Sequence, residues 1–310
     1  MGAESSGPGF AREDVTFPSA DARCAAWLFR PPKHVTTVPG PVVVMAHGFG
    51  GVRGLRLDAY AARIAAAGYR VLLFDYRHFG DSDGQPRQLL GIGRQHADWR
   101  AAVDHARGLP DVDADRVVLW GTSLAGGHVL HTAARDPRIA AVVAQVPHVS
   151  GVAAMGAVGP VMSARLARRA VADLARAALG RDPTYIRAIG DPGTVAAMTA
   201  PGARSGHDEM IAQSSVEPPR DDVAARILLR MPTYSPGRRA ARIRCPVLVQ
   251  LADDDRITPA RAAERVARRI PRATVLRYAM THFDPYVHPH FEQVVRDQLT
   301  FLRDAVHATA

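Results

Sequence analysis

Gly121-Thr122-Ser123-Leu124-Ala125-Gly126-Gly127 follows the apolar run Arg116 to Trp120 and precedes Leu124 to Ala134, a segment of helical character. The placement matters more than the letters, because a serine hydroxyl is a weak nucleophile. A sharp strand-to-helix turn presents it to a base and aims helix-start N–H groups at a reacting carbonyl. Such a turn demands small neighbours two residues away on each side, and Gly121 and Ala125 occupy those places. Ala125 departs by one methyl from the strict Gly-x-Ser-x-Gly pattern.

Three further segments complete the chemistry. His47-Gly48-Phe49-Gly50-Gly51 follows the apolar run Val42 to Ala46 and suits an oxyanion loop, with the N–H groups of Phe49 and Leu124 as the donors. A Gly-rich loop can also cradle phosphate, but no Lys-Ser/Thr ending follows it, which argues against a P-loop. His47 is expected to shape the loop. Asp253-Asp254-Asp255 ends the run Val247 to Leu251, and Asp255 is the favoured acid, with Asp254 second. His282 follows the last strand-like run, Ala273 to Ala279, and is the candidate base. The order Ser123, Asp255, His282, each at a strand end, is the order in which α/β-hydrolases carry their triad. His128 and His131 stand three apart on a helix without an evident acidic third ligand, so no metal is expected.

Around these segments the chain alternates short apolar runs with helical patterns from residue 14 to 147 and again from 242 to 305. That rhythm predicts an α/β fold with a mostly parallel, doubly wound sheet. Strands are expected at Val42 to Ala46, Tyr69 to Phe74, Arg116 to Trp120, Ile139 to Val146, Val247 to Leu251 and Ala273 to Ala279. Residues 148–241 show no convincing strand and read as a helical cap inserted before the acid-bearing strand, with an amphipathic helix at Val161 to Leu179. Met155, Met162, Met198, Met210 and Met231 fall in it and suit an adaptable apolar surface. Residues 1–13 are polar and Gly-rich and are expected to be disordered.

Composition sets the outer bounds. Hydrophobic residues make up 47% and charged residues 22% of 310, a globular profile. The net charge of +9 is carried by arginines spread along the chain, Lys33 being the only lysine, so no nucleic-acid stripe is expected. Runs such as Arg165 to Arg169 and Arg261 to Arg269 lie within helical patterns as solvated faces. No stretch has the length of a membrane span and no leader pattern opens the chain, so a cytoplasmic protein is expected. Cys24 and Cys245, the only cysteines, read as buried thiols.

Over residues 14 to 304 the chain resembles the α/β-hydrolase superfamily, and within it the dienelactone-hydrolase-like and X-Pro-peptidase-like branch with polyketide acyl transferase and thiohydrolase relatives. The resemblance rests on Phe74 to Ser82, Gly121 to Leu130 and His282 to Tyr286. His78 stands where the family usually has glycine. Membership implies that the insertion covers the site and selects the substrate. The expected activity is hydrolysis of an ester, lactone or thioester of a hydrophobic acyl group, without a cofactor. Acyl transfer to an alcohol or amine, peptide or carbon-carbon bond hydrolysis, and a silent receptor or scaffold are the alternatives. A small acyl substrate is the expected partner, with neither nucleic acid nor membrane, and a homodimer is an assembly the sequence permits.

Overall fold

The central strands are apolar on both faces, so each must be covered on both sides. The computed structural model, which describes residues 5–7, 10–35, 38–155 and 159–307, shows how. An antiparallel meander opens the chain: β1 (Ser5–Gly7), β2 (Phe10–Ser19) and β3 (Ala22–Arg30). Strands and helices then alternate through β4 (Gly40–Ala46), α1 (Leu57–Ala66), β5 (Arg70–Phe74), α2 (Ile92–Arg107), β6 (Val112–Thr122), α3 (Leu124–Ala133) and β7 (Ile139–Gln145). An insertion carries α4 (Gly151–Met155), α5 (Pro160–Ala178), β8 (Tyr185–Ile189), β9 (Ala196–Met198), α6 (Ala203–Ala212) and β10 (Asp222–Ala224). The alternation resumes with β11 (Val247–Ala252), α7 (Ala260–Ala267), β12 (Ala273–Tyr278) and α8 (His290–His307).

The main sheet has nine strands in the order β1-β2-β3-β5-β4-β6-β7-β11-β12. From β5 to β12 all neighbours are parallel. Side chains alternate between two cores with the period of a strand. Val42, Val44, Leu72, Val117 and Leu119 join Trp99 of α2, Val129 of α3 and Ala263 of α7. Val43, Met45, Leu73, Val118 and Trp120 join Ile64 of α1 and Val295 of α8. The sheet is therefore doubly wound. Its order reverses between β4 and β6, and the crevice beyond the carboxyl ends at such a switch point is where open α/β sheets bind ligands.

Two sequence expectations need correction. Within 1–13, expected to be disordered, Ser5–Gly7 pairs with Phe10 to Arg12 as an antiparallel hairpin, while residues 1–4 and 8–9 lie outside the described residues. The insertion is also not purely helical: β10, β8 and β9 form a second, three-stranded sheet. Its strands are three to five residues long and lie between Pro- and Gly-rich turns, too short to show alternation. Arg165, Arg168 and Arg169 are exposed on α5, as are Arg261, Arg265, Arg268 and Arg269 on and just after α7. Cys24 and Cys245 are buried free thiols. Among the described residues no helix is long and apolar enough to cross a membrane.

Asp173 holds the insertion together. Its carboxylate is fully buried and accepts from Thr184 N at 2.8 Å and from Arg226 N, Nε and Nη2 at 2.8, 2.7 and 3.0 Å. One side chain on α5 thereby fixes the entry to β8 and the turn after β10. Asp173→Ala leaves Arg226 without its anion and is expected to cost about 3 kcal/mol, readable as an earlier urea midpoint and faster proteolysis within the insertion.

A layer of imidazoles joins α2, α3 and the chain returning from the insertion. His128 Nε2 contacts Gln95 Oε1 at 2.9 Å, and its Nδ1 lies 2.6 Å from the Tyr234 hydroxyl. His96 Nε2 sits 3.1 Å from both that hydroxyl and His128 Nδ1, and its ring stacks on His131 at 3.7 Å. Burial pushes His96 down to about 3 and His131 to about 4, helped by Arg100 and Arg135, and carries His128 well below its ordinary value. All three stay neutral in the fold, while the unfolded chain takes up protons near pH 6.5. Stability is thus full above that pH and lost as pH falls from about 6.5 toward 4, by up to ~1.4 kcal/mol per pH unit for each histidine. Urea midpoints at pH 7.5, 5.5 and 4.5 are expected to fall in that order; equal midpoints would show these histidines charged in the native state.

Candidate active site

The turn from β6 into α3 leaves no spare space. Ser123 takes φ 54° and ψ −119°, a conformation non-glycine residues adopt only when their surroundings enforce it. A carbon added at Gly121 would lie 2.3 Å from the Ala125 carbonyl oxygen, and one at Gly127 would lie 2.2 Å from that of His148. Backbone bonds hold the strained residue, from Ser123 N to Gln145 O at 3.0 Å and from His148 N to Ser123 O at 2.8 Å. Ala125 is fully buried, so the turn accommodates the methyl by which this sequence departs from the strict pattern.

Three strand ends deliver the predicted residues to one place. His282 Nε2 lies 3.1 Å from Ser123 Oγ, and His282 Nδ1 lies 2.6 Å from Asp255 Oδ2. Of the neighbouring carboxylates, Asp253 pairs with Arg277 at 2.6 Å and Asp254 is exposed, so Asp255 alone meets the imidazole. Ile257 N and Thr258 N donate to Asp255 Oδ1 at 2.8 and 2.7 Å, and Thr258 Oγ1 donates to Oδ2 at 2.7 Å. Burial favours the neutral acid, but His282 and the Thr258 donors outweigh it and hold Asp255 below the usual carboxylate range. Asp255 is thus an anion on His282 Nδ1. That places the imidazole lone pair on Nε2, facing the serine.

The loop after β4 lies against this serine. A carbon on Gly48 would come within 3.1 Å of Ser123 Cβ, so the loop approaches by backbone. Phe49 follows it and Leu124 is the first residue of α3, whose N–H has no intrahelical partner. Both border the same cavity as Ser123. His47 is buried and makes a 3.0 Å contact from Nδ1 to Gly48 O, with its ring on edge against Tyr76. Asp75, after β5, clamps the loop by accepting from Arg53 N at 2.7 Å and by pairing with the Arg53 guanidinium. Nearby, His78 takes φ 73°, the left-handed conformation that accounts for glycine being usual there in the family it resembles.

Ser123 stands where two cavities meet, both also lined by Phe49 and Met198. The larger, of about 310 Å³, is walled by Leu124, Met155, Leu228, Met231 and Ile257 among others. The smaller, of about 60 Å³, runs past His282 toward Met210, His207 and Asp221. Four of the five insertion methionines therefore face these cavities, while Met162 packs against the core. Among the described residues no three side chains converge as metal ligands, and His128 and His131 belong to the imidazole layer.

Sequence reading missed three supporting residues. Thr258 carries a signal in hindsight, since a hydroxyl three residues after an aspartate can close a turn on it. Tyr286 hydrogen-bonds Thr122 Oγ1 beneath the serine, and His148 borders the larger cavity. Both contacts depend on long-range packing, and no local pattern assigned them.

Residues 37–283 match the model of a family described as serine aminopeptidase, S33. The chain is 45% identical over 293 residues to the quorum-quenching protein AidA of Acinetobacter baumannii, covering 94% of this chain and 95% of that one. It is 28% identical to polyketide transferase ATR5 of Stachybotrys chlorohalonatus, covering 94% and 97%. The crystal structure of the α/β hydrolase GrgF from Penicillium sp. superposes with a TM-score of 0.78 at 23% identity, covering 96% and 99%. With a family match over most of its length and the sheet that the family requires, the chain belongs to the α/β-hydrolase superfamily, in the family described as serine aminopeptidase, S33.

Proposed function

We propose that the protein is a serine hydrolase that cleaves an ester, lactone or thioester of an apolar acyl group through an acyl-enzyme on Ser123. The observation that carries this reading is His282, held between Ser123 Oγ at 3.1 Å and the Asp255 carboxylate at 2.6 Å. As Ser123 Oγ attacks the acyl carbon, its proton passes to His282 Nε2, and Asp255 stabilises the imidazolium. The N–H groups of Phe49 and Leu124 receive the developing oxyanion. His282 then returns the proton to the departing alcohol or thiol. Water, deprotonated by the same nitrogen, releases the acid and restores Ser123.

The larger cavity takes the acyl chain, since Met155, Met198, Met231 and Leu228 offer it an apolar and adaptable wall. The insertion supplies most of that wall, which supports its reading as a cap. The Acinetobacter relative is named a quorum-quenching protein, which brings quorum-signalling compounds into the substrate panel. The polyketide transferase relative favours a second reading, transfer of the same acyl group to an alcohol or amine, and product analysis with and without such an acceptor separates the two.

A fluorophosphonate probe is expected to label the wild type and not Ser123→Ala; equal labelling of both would remove the nucleophile assignment. Asp255→Asn is expected to lower kcat by roughly 10⁴-fold, because the imidazole is then held in the wrong tautomer. Asp254→Asn is expected to stay within about 3-fold, as exposed substitutions away from a site do. Rates on p-nitrophenyl esters are expected to rise with acyl length until the larger cavity is filled; a preference for acetate would refute the apolar acyl site.

A further inference from the structure

α5 runs for 19 residues through the insertion and meets the rest of the molecule along one side only. Leu166, Ala170 and Asp173 are buried on that side, and Met162 packs against the core. At 3.6 residues per turn the outward half carries Val161, Arg165, Arg168, Val171 and Leu174, with alanines between them and Leu179 at the end, and all of these are exposed. Val161, Val171, Leu174 and Leu179 are 67%, 56%, 53% and 69% exposed. A helix on the surface of a globular protein ordinarily turns a polar face to water. The outward half of α5 is apolar except at two arginines.

The charge on α5 is of one sign wherever solvent reaches it. Arg165, Arg168 and Arg169 make no ion pair among the described residues, and Asp173, the only acid of the helix, is turned inward and bound to Arg226. That distribution decides between two occupants. Pairing with α5 of a second copy would bring the two Arg168 side chains together, since Arg168 lies near the middle of the helix, and no carboxylate stands there to offset charge taken out of water. An anionic lipid surface meets both features: acyl chains cover the valines and leucines, and headgroups pair with guanidiniums at the ends of flexible stems. The helix also adjoins two segments that wall the larger cavity. α4, which supplies Met155, precedes it, and the turn Ala225–Leu229, which supplies Leu228, packs against it.

We propose that α5 docks on an anionic lipid surface, lying flat at the headgroup layer with Val161, Val171, Leu174 and Leu179 inserted. Docking of this kind needs one apolar face and no spanning segment. It departs from the expectation of no membrane partner, which rested on span length and scattered charge. It does not depend on the reaction at Ser123.

The test is co-sedimentation of the full chain with vesicles of phosphatidylcholine, with and without phosphatidylglycerol. Binding is expected to the mixed vesicles, to weaken as salt is raised, and to be slight with phosphatidylcholine alone. Arg165→Gln with Arg168→Gln is expected to weaken it by roughly 10- to 30-fold. Val171→Asp with Leu174→Asp is expected to weaken it by about 10-fold or more, with the urea midpoint unchanged because both side chains are exposed. In Leu174→Trp the added emission is expected to shift to shorter wavelength on mixing with the anionic vesicles. No binding to the mixed vesicles, binding that both double variants leave unchanged, or an unshifted emission would overturn the proposal. A concentration-dependent dimer that Val171→Asp with Leu174→Asp abolishes would also overturn it and assign the face to a second copy.

Discussion

The site depends on the refusal of one turn to relax. Ser123 is held at φ 54° between a strand and a helix packed so closely that Gly121 and Gly127 have no room for a side-chain carbon. A looser junction would let the residue fall back into an ordinary conformation and swing its hydroxyl away from the imidazole. The cost of this backbone strain, of order 1–3 kcal/mol for such a residue, is met by the buried sheet on one side and the bonds to Gln145 and His148 on the other. Catalytic geometry here is a by-product of close packing, because the crowded atoms leave the hydroxyl a single direction.

Electrostatics follow from that packing. Asp255 stays charged because three donors and an imidazole face it, whereas the imidazoles around Tyr234 stay neutral because burial and nearby guanidiniums bear on them. Identical side chains thus serve opposite ends in one fold. His282 faces the Asp255 carboxylate, and His96, His128 and His131 sit where a charge is excluded. A buried anion marks the difference.

The sheet and the three side chains that meet at Ser123 were largely legible in the sequence. Short apolar runs marked β4, β5, β6, β7 and β11, and the order of Ser123, Asp255 and His282 along the chain singled out the three side chains that converge. Choosing among Asp253, Asp254 and Asp255 was harder, because adjacent positions with the same side chain differ only in direction, which the turn closed by Thr258 decides. The second sheet escaped notice since strands of three to five residues are too short for periodicity. The N-terminal hairpin escaped because a polar edge strand is stabilised by pairing with a partner and not by its own composition.

Much of the wall around the larger cavity belongs to the insertion, which Asp173 and Arg226 tie together locally while Leu166, Ile186 and Val223 anchor it in the core. The cavity wall and the cluster of Ser123, His282 and Asp255 are therefore carried by different segments. Residues such as Met155, Leu228 and Met231 can change the size and dryness of the space beside Ser123 while the distances among Ser123, His282 and Asp255 stay fixed. What enters that space, and how much water enters with it, then falls to side chains outside that cluster. A lineage with this architecture can exchange one reaction outcome for another by drift in its least regular segment.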